Sequence, residues 1–269
     1  MNELKQSDIV SNLLMSVFGS DKTGKTRLIL QMEPGLAVLN FDRNPGNLYR
    51  KAVLSGKKVF LQTYSPVKMT LSEFLLKQDK YRRLATNDPN MFLETVAEIK
   101  VNNNKEVLKR YRNQIKLENS ALLTQFYNDV NWAIQNDKIN SIAIDNASNL
   151  WLLICLVYFG RASRIMPMDY GELRSEMNNI IGLLESSGKD VIITSEEKPR
   201  YVGGKEVDEY INQGDSKLKY RVKTNLRMYK NDGDYVLKIL NSSENPDVSD
   251  LEILNEDITI ENLRELIYG

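Results

Sequence analysis

The residues best suited to chemistry lie at positions 19–26, where Gly19 is followed by four residues and then by Gly24-Lys25-Thr26. This spacing is the P-loop pattern. The two glycines let the backbone turn tightly, so that its N–H groups can converge on one point. A lysine ammonium and a threonine hydroxyl follow directly. Together with the N–H groups, they are suited to hold phosphate and a divalent cation.

The neighbours of this loop have the character that the pattern requires. Residues 13–18 predict a short buried strand, and residues 27–32 predict the first turns of a helix. Loop N–H groups and the positive end of that helix would then face one anion. The alternative is a chance match, since the pattern fixes only four positions. We expect ATP or GTP to bind at Gly19, Ser20, Asp21, Lys22, Thr23, Gly24, Lys25, Thr26 and Arg27.

A metal site is predicted from two distant positions. Lys25 would neutralise the β- and γ-phosphates, and the Thr26 hydroxyl would ligate Mg²⁺. Asp145 ends the apolar run 140–145, which is the Walker B pattern, and its carboxylate would hold Mg²⁺ directly or through water. Many buried strands end in aspartate, so this pattern gains its weight from the P-loop upstream.

The order of the predicted elements indicates an α/β fold with a mostly parallel sheet and helices on both faces. Further strands are predicted at 36–41, 59–63 and 190–195, and a helical insertion at about 68–137. Late antiparallel strands are predicted at 220–224 and 235–240, around a turn at 231–233. We expect one domain over residues 1–240 and an acidic C-terminal segment over 241–269.

Composition excludes several kinds of chemistry. The 269 residues contain no histidine, which removes Ser-His-Asp triads, histidine metal sites and histidine general bases. The one cysteine, Cys155, excludes an internal disulfide, fits a reducing cytoplasm and has apolar neighbours typical of a core residue. The polar residues 1–8 predict no signal peptide, and no apolar run approaches the ~18 residues of a membrane span.

Charge is balanced overall, with 36 basic and 36 acidic residues, so contact with nucleic acid would need a local patch. One basic stretch has Tyr220 and Tyr229 interleaved, and is equally well interpreted as a DNA contact or as an ordinary edge strand. A second basic group in the predicted insertion is better interpreted as a solvated helix face. The first stretch contains Lys217, Lys219, Arg221, Lys223, Arg227 and Lys230; the second contains Lys100, Lys105, Lys109, Arg110, Arg112 and Lys116.

The order of these motifs resembles the RecA-like P-loop ATPases carried by phages, a group of AAA-type nucleotide-binding proteins and single-strand annealing recombinases. The resemblance includes the P-loop, the acidic turn at 40–46, the motif at 142–148, and the helix from Asp169-Tyr170-Gly171 that leads into the strand ending at Glu196. It implies ATP with Mg²⁺ at the subunit interfaces of a homo-oligomeric ring or filament, and single-stranded DNA as the polymer handled. It also implies the cytoplasm of a phage host as the location.

Two positions depart from that group. Its members carry a catalytic glutamate after the second or third strand, where this chain offers Asp42 and Asn44. They carry a glutamine or histidine sensor where this chain has Ser195-Glu196. A carboxylate beside a γ-phosphate is unfavourable unless a cation offsets it. Glu196 or Asp42 would instead position or activate the attacking water, which makes both candidate catalytic residues beside Lys25.

Three functions remain open from the sequence. The first is an ATPase that acts on single-stranded DNA in recombination or replication. The second is a switch whose nucleotide state controls assembly with another protein, with little turnover. The third is a small-molecule kinase, for which Arg161 and Arg164 would supply a lid.

Overall fold

The computed structural model describes residues 12–42, 46–163 and 165–269. Residues 43–45 of the predicted acidic turn, Arg164 of the predicted lid and the polar residues 1–8 lie outside this description. Two compact units are present. The sheet unit holds the described residues up to Ser65 together with Phe126–Trp151 and Arg174–Gly269; the helical unit holds Pro66–Gln125 and Leu152–Leu173.

Among the described residues, an eight-stranded sheet has the order β10-β9-β8-β1-β5-β4-β2-β3, and β6 and β7 form a separate hairpin. The strands are β1 Leu14–Phe18, β2 Leu36–Asn40, β3 Val59–Thr63, β4 Ser141–Asp145, β5 Asp190–Ser195, β6 Glu197–Val202, β7 Lys205–Asn212, β8 Thr224–Asn231, β9 Asp234–Ser242 and β10 Glu252–Leu254. The pairs from β8 to β3 are parallel, whereas β8–β9 and β9–β10 are antiparallel. The predicted fold class is confirmed.

The helices fall between and after these strands. Thr70 begins α3 with a capping box that includes Glu73, and Asp88 caps α5 ahead of Pro89 at its first turn. Helices α6 and α7 contribute residues to both units. The helices are α1 Lys25–Ile29, α2 Gly46–Leu54, α3 Leu71–Leu76, α4 Asp79–Asn87, α5 Pro89–Val101, α6 Lys105–Gln135, α7 Ala147–Phe159, α8 Tyr170–Glu185 and α9 Ile260–Tyr268.

The core of the sheet unit explains why its central strands are apolar throughout. Every residue of β1, β2 and β4 is buried, as expected for parallel strands that are covered on both faces. Residues from the acidic segment 241–269 join this core through apolar side chains that alternate with the charged ones. These side chains are Ile253, Ile258, Ile260, Leu263 and Ile267.

One late strand lies further along the chain than predicted. Residues 218–220 form a single 3₁₀ turn, and β8 begins only at Thr224, so the predicted strand at 220–224 is wrong. The cause is local bonding, because Asp215 accepts from the Lys217 N–H and pairs with Arg221, which favours a turn. Strand β8 runs up to the predicted turn, where Asn231 pairs with Asp234.

Among the described residues, no helix combines the length and the apolar character that crossing a membrane requires.

Candidate nucleotide-binding site

The loop between β1 and α1 is held in a strained, compact form. Gly24 has φ 103° and Lys22 has φ 61°, both in the left-handed region. A Cβ on Gly19 would lie 2.0 Å from the carbonyl oxygen of Met228, so only glycine fits there. The Gly19 N–H donates to the Ser195 carbonyl at 3.3 Å, and the Thr23 hydroxyl donates to the Ser20 carbonyl at 2.9 Å. These contacts fix the loop without a ligand.

The Lys25 side chain curls back over this loop. Its Nζ donates to the carbonyl oxygens of Gly19 and Ser20, each at 2.7 Å. Burial lowers the pKa of Lys25, and the negative charges of Asp145 and Asp21 work in the opposite direction. The ammonium therefore lies within the loop, where two backbone carbonyl groups accept its hydrogen bonds.

Asp145 lies at the end of β4 and is the point where hydroxyl groups from three other elements meet. Its carboxylate accepts from Thr26 at 3.2 Å, from Thr194 at 2.6 Å and from Tyr49 at 2.8 Å. The side chain is buried, and burial together with the Asp145 charge raises the pKa of Tyr49. Tyr49 on α2 had no signal in the sequence. The result is a carboxylate of fixed orientation beside a hydroxyl.

Thr26 and Asp145 provide the kind of ligands that Mg²⁺ prefers, because both present oxygen atoms and these atoms already lie side by side. Lys25 adds the positive charge that a phosphate requires. This chemistry fits a nucleotide with its magnesium ion. Thr26 and Asp145 would hold the metal, and the loop would hold the phosphates.

The two other candidate carboxylates follow β5 and β2, the two strands that flank β4. Glu196 comes directly after β5, and its backbone N–H donates to the Ser148 hydroxyl at 3.0 Å. Asp42 comes after β2, where its N–H and carbonyl bond to the Asn40 side chain at 3.3 and 2.8 Å. Both carboxylates line the cavity that contains the P-loop. Parallel strands explain this, because their carboxyl ends share one edge of the sheet.

That cavity has a volume of about 770 Å³, within the range of ligand sites. Seven of the nine predicted phosphate-binding residues line it, from Asp21 to Arg27, together with Asp42, Asp145 and Glu196. Gly19 and Ser20 form the base of the loop and contact Lys25 through their carbonyl groups.

A family model for an AAA domain matches residues 11–246. The chain belongs to this AAA domain family. The crystal structure of the RadB recombinase is similar at 13% identity over 90% of this chain and 86% of the RadB chain, with a TM-score of 0.45. No relative was found among curated proteins.

The cavity also has lining residues that the sequence did not indicate. Met228 and Tyr235 flank the P-loop, since a Cβ on Gly24 would lie 3.4 Å from Met228 Cε and 3.8 Å from Tyr235 Cδ1. Asn255 accepts from the Tyr235 N–H at 3.0 Å and donates to Asp234 at 2.9 Å. These contacts join positions 20 or more residues apart, and no local pattern marks them.

Gln31 connects the helix after the P-loop to the acidic segment. Its Nε2 donates to the Ile258 carbonyl at 3.3 Å, and its Oε1 accepts from the Ile260 N–H at 3.1 Å. Ile258 and Thr259 line the same cavity. Residues of the predicted acidic segment, which lie beyond the family match, therefore form part of the wall of the candidate nucleotide site.

The basic stretch from Lys217 to Lys230 is only partly available for a partner. Three of its six positive charges are in ion pairs: Arg221 with Asp215, Lys223 with Glu244 at 3.1 Å, and Arg227 with Glu197 at 3.0 Å. Lys217 and Lys219 lie on the Tyr220 ring, 5.0 and 4.9 Å from its centre, and Lys230 lies 4.6 Å from the Tyr235 ring. For the predicted kinase lid, Arg161 lies in the helical unit, where it lines other cavities.

Proposed function

We propose that this AAA domain is an ATPase that binds ATP with Mg²⁺ at the P-loop and acts on single-stranded DNA in recombination or replication. The observation that carries the proposal is the meeting of three groups from distant parts of the chain. Lys25 lies within the loop, and the Thr26 hydroxyl contacts the Asp145 carboxylate at 3.2 Å. That arrangement is what phosphoryl transfer to water requires of the protein.

Lys25 supplies the charge that stabilises the transferred phosphoryl group. Its ammonium is held by the Gly19 and Ser20 carbonyl groups, so a phosphate oxygen would exchange with bonds that are already oriented. Preorganised charge in a partly buried site is worth more than the same charge in water. A magnesium ion held by Thr26 and Asp145 would neutralise further phosphate charge when bound.

Glu196 is the better placed of the two candidates to activate water. Its backbone is fixed to Ser148, whose own hydroxyl donates to the Gln213 carbonyl at 2.8 Å. Asp42 is exposed and bonds through its backbone to Asn40, so its carboxylate is less constrained. We therefore assign the general base to Glu196 and a water-positioning role to Asp42.

The cavity wall that includes Met228, Tyr235 and Ile258 supports binding of a base. Met228 and Ile258 are buried, and Tyr235 is half-buried, so they present apolar surface to a flat ring. Asn255 and Gln31 add amide groups at the same wall. A purine packed against Tyr235 would gain contact area and leave the phosphates over the P-loop.

The DNA part of the proposal is supported by residues near Tyr220. Its ring is 70% exposed, and Lys217 and Lys219 lie against it. An exposed aromatic ring with positive charges close to it is the arrangement that stacks bases and contacts phosphates. The phage origin, the host cytoplasm and the homo-oligomeric ring or filament, with ATP between subunits, rest on the resemblance in motif order.

A second candidate, the assembly switch with little turnover, is favoured by the charge of the cavity. Among the residues that the structure describes, six acidic and three basic ones line it, a difference of three negative charges. Such a site would bind nucleotide only with Mg²⁺ and would oppose charge build-up at the γ-phosphate. The acidic residues are Asp21, Asp42, Asp145, Glu196, Asp234 and Glu256; the basic ones are Lys22, Lys25 and Arg27.

The deciding experiment measures ATP binding and hydrolysis by the full chain, with and without oligo(dT). The proposal expects hydrolysis that DNA accelerates and that Lys25→Ala abolishes. Tight ATP binding without turnover, in either condition, would favour the switch. Unchanged hydrolysis by Lys25→Ala would refute the site itself. Arg110→Gln serves as the control, because that cation pairs with Glu106 and does not line the cavity.

A further inference from the structure

The helical unit contains a groove that the candidate nucleotide site does not use. Two cavities of about 500 and 770 Å³ adjoin there. They share Leu108 and Arg112 of α6 and Arg161, which follows α7. We call this pair of cavities the basic groove.

The lining of the basic groove has one sign of charge. Seven cationic side chains line it, and within the described part of the chain no carboxylate lines either cavity. Walls of a single sign concentrate the electric field inside a concave site, which raises the local concentration of anions. The cations are Lys68, Lys100, Lys105, Lys109, Arg112, Lys116 and Arg161.

Four of the seven cations form a continuous stripe on α6. Lys105, Lys109, Arg112 and Lys116 follow one another at spacings of four, three and four residues, which places them on one helix face. The stripe is about 16 Å long, from a rise of about 1.5 Å per residue. Arg110, on another face of the same helix, is paired with Glu106 at 2.5 Å. The sequence alone predicts one solvated helix face for these basic residues, whereas the structure places them on two faces of α6.

Across the residues that the structure describes, none of the seven cations has a carboxylate partner. The acidic residues nearby are engaged elsewhere, since Glu118 pairs with Lys77 at 2.9 Å and Glu106 pairs with Arg110. Like charges at helical spacing repel one another and destabilise the helix. A row of uncompensated cations therefore stores repulsion that an anionic partner would relieve.

Gly160 allows the chain after α7 to approach α6 and to complete the wall of the basic groove. Gly160 ends α7 with φ 61°, and a Cβ there would lie 2.5 Å from the Arg112 carbonyl oxygen. Only glycine allows this approach of the chain to α6. The approach places Arg161 beside Arg112 and brings Phe159 to the groove wall. The close backbone approach of Gly160 to Arg112 therefore fixes the positions from which the cationic side chains extend.

We propose that the basic groove binds the phosphodiester backbone of single-stranded nucleic acid. Its length along α6 suits an extended chain of phosphates better than one small anion. Two aromatic side chains, Phe159 and Tyr111, line the cavities and offer faces for bases; the Tyr111 ring is fixed by a 2.6 Å bond to the Met69 carbonyl. The inference deepens the proposed action on DNA and moves its main contact from residues 217–230 to α6.

The test is fluorescence anisotropy of labelled oligo(dT) with the full chain over a range of salt concentrations. The test variant is Lys109→Gln/Arg112→Gln/Lys116→Gln, and Arg110→Gln is the matched control on the same helix. Loss of three phosphate contacts lowers the slope of log K against log salt by about 2 for a single strand. We expect that change and a loss of affinity of about 30-fold or more at moderate salt, while Arg110→Gln stays within twofold of the parent.

Circular dichroism and ATP binding are measured on the same samples, because an unchanged helix signal and an unchanged ATP affinity show that the triple variant is folded. Equal oligo(dT) binding by the parent and the triple variant overturns the inference, as does the absence of binding by the parent. The inference is also overturned, in favour of a membrane surface, if the triple variant loses binding to anionic lipid vesicles but keeps its binding to oligo(dT). Loss with oligo(dT) alone supports it.

Two further variants separate this inference from the proposed function. Lys217→Gln/Lys219→Gln changes the residues around Tyr220. The groove is refuted if this variant loses oligo(dT) affinity and the α6 triple variant keeps it. Lys25→Ala removes the proposed phosphate contact. Suppose that the parent protein binds oligo(dT) without binding or hydrolysing ATP. If the α6 variant then loses oligo(dT) binding, the groove stands and the ATPase proposal fails.

Discussion

The hydroxyl group of Thr26 donates a hydrogen bond to the carboxylate of Asp145 across 3.2 Å, although 119 positions separate the two residues. Sheet order produces this contact. Strands β1 and β4 both flank β5 and run parallel to it, so the segments after them leave the sheet at one edge. A hydroxyl and a carboxylate thereby meet beside the loop that contains Lys25.

Replacing Asp145 with asparagine should make ATP binding much less dependent on Mg²⁺ and should slow turnover by about 100-fold. The amide has nearly the same shape but lacks the charge that holds a divalent cation. Magnesium titration of ATP binding and steady-state hydrolysis measure the two effects. Asp129→Asn is the control, because that carboxylate accepts from Tyr64 at 2.7 Å and does not line the cavity. Matching magnesium curves for the two variants would contradict the metal assignment.

Raising the pH should weaken ATP binding before an ordinary lysine titrates. Burial lowers the pKa of Lys25 from 10.5, and the cationic form is the one that contacts phosphate. Between the lowered pKa and 10.5 the folded protein without nucleotide binds fewer protons than the unfolded chain, so the contribution of Lys25 to stability rises with pH in that window. Calorimetric titration of ATP from neutral pH to about pH 10 checks the prediction.

Lys25→Arg is the comparison for this pH series, since a guanidinium group stays protonated throughout. Its ATP affinity should be lower at neutral pH, because the fork-shaped head does not fit the two carbonyl groups that hold the ammonium. Its affinity should also vary little with pH. An equally steep decline in the arginine variant would show that another group titrates.

Removing the Ser148 hydroxyl should lower kcat about tenfold and leave ATP affinity unchanged. That hydroxyl accepts from the Glu196 N–H at 3.0 Å and donates to Gln213, so Ser148→Ala releases the backbone that carries the proposed base. Ser186→Ala is a suitable control, because its exposed hydroxyl bonds only to the Leu183 carbonyl. A fall in affinity with constant kcat would assign Ser148 to nucleotide binding instead.

Replacing Tyr235 with alanine should weaken ATP binding by about tenfold through the loss of aromatic contact area. Binding of inorganic tripolyphosphate, which has no base, should not change. Tyr229→Ala is the matched control on the preceding strand, where the hydroxyl donates to Glu252 at 2.8 Å and the ring does not line the cavity. Equal losses of ATP and tripolyphosphate would show that Tyr235 supports the loop and does not contact the base.

The sequence predicted the parts of the site that depend on short-range order. The P-loop spacing placed Lys25 and Thr26, and the strand-ending rule placed Asp145 and Glu196 at the same edge of a parallel sheet. These residues line one cavity because strand, loop and helix start are consecutive, and because parallel strands share their carboxyl edge. Their roles toward nucleotide and metal stay predictions. The fold class was predictable for the same reason.

Contacts that depend on tertiary packing had no such signal. Tyr49 reaches Asp145 over 96 positions, and Gln31 reaches Ile258 over 227. The strand predicted at 220–224 was wrong because Asp215 and Arg221 form a local pair that composition does not reveal. The charge of residues 217–230 was visible in the sequence, but its partial neutralisation by Glu197 and Glu244 was not.

The side-chain amide of Gln31, shortly after the α1 residues that are proposed to bind phosphate, contacts residues 258–260 through both of its polar atoms. It donates to the Ile258 carbonyl and accepts from the Ile260 N–H. If a base binds against Tyr235 as proposed, displacing residues 258–260 would loosen one wall of its site. The acidic segment would then influence how long the nucleotide stays bound. Pulling that segment aside, by a bound protein or by a neighbouring subunit, would work as an exchange factor does.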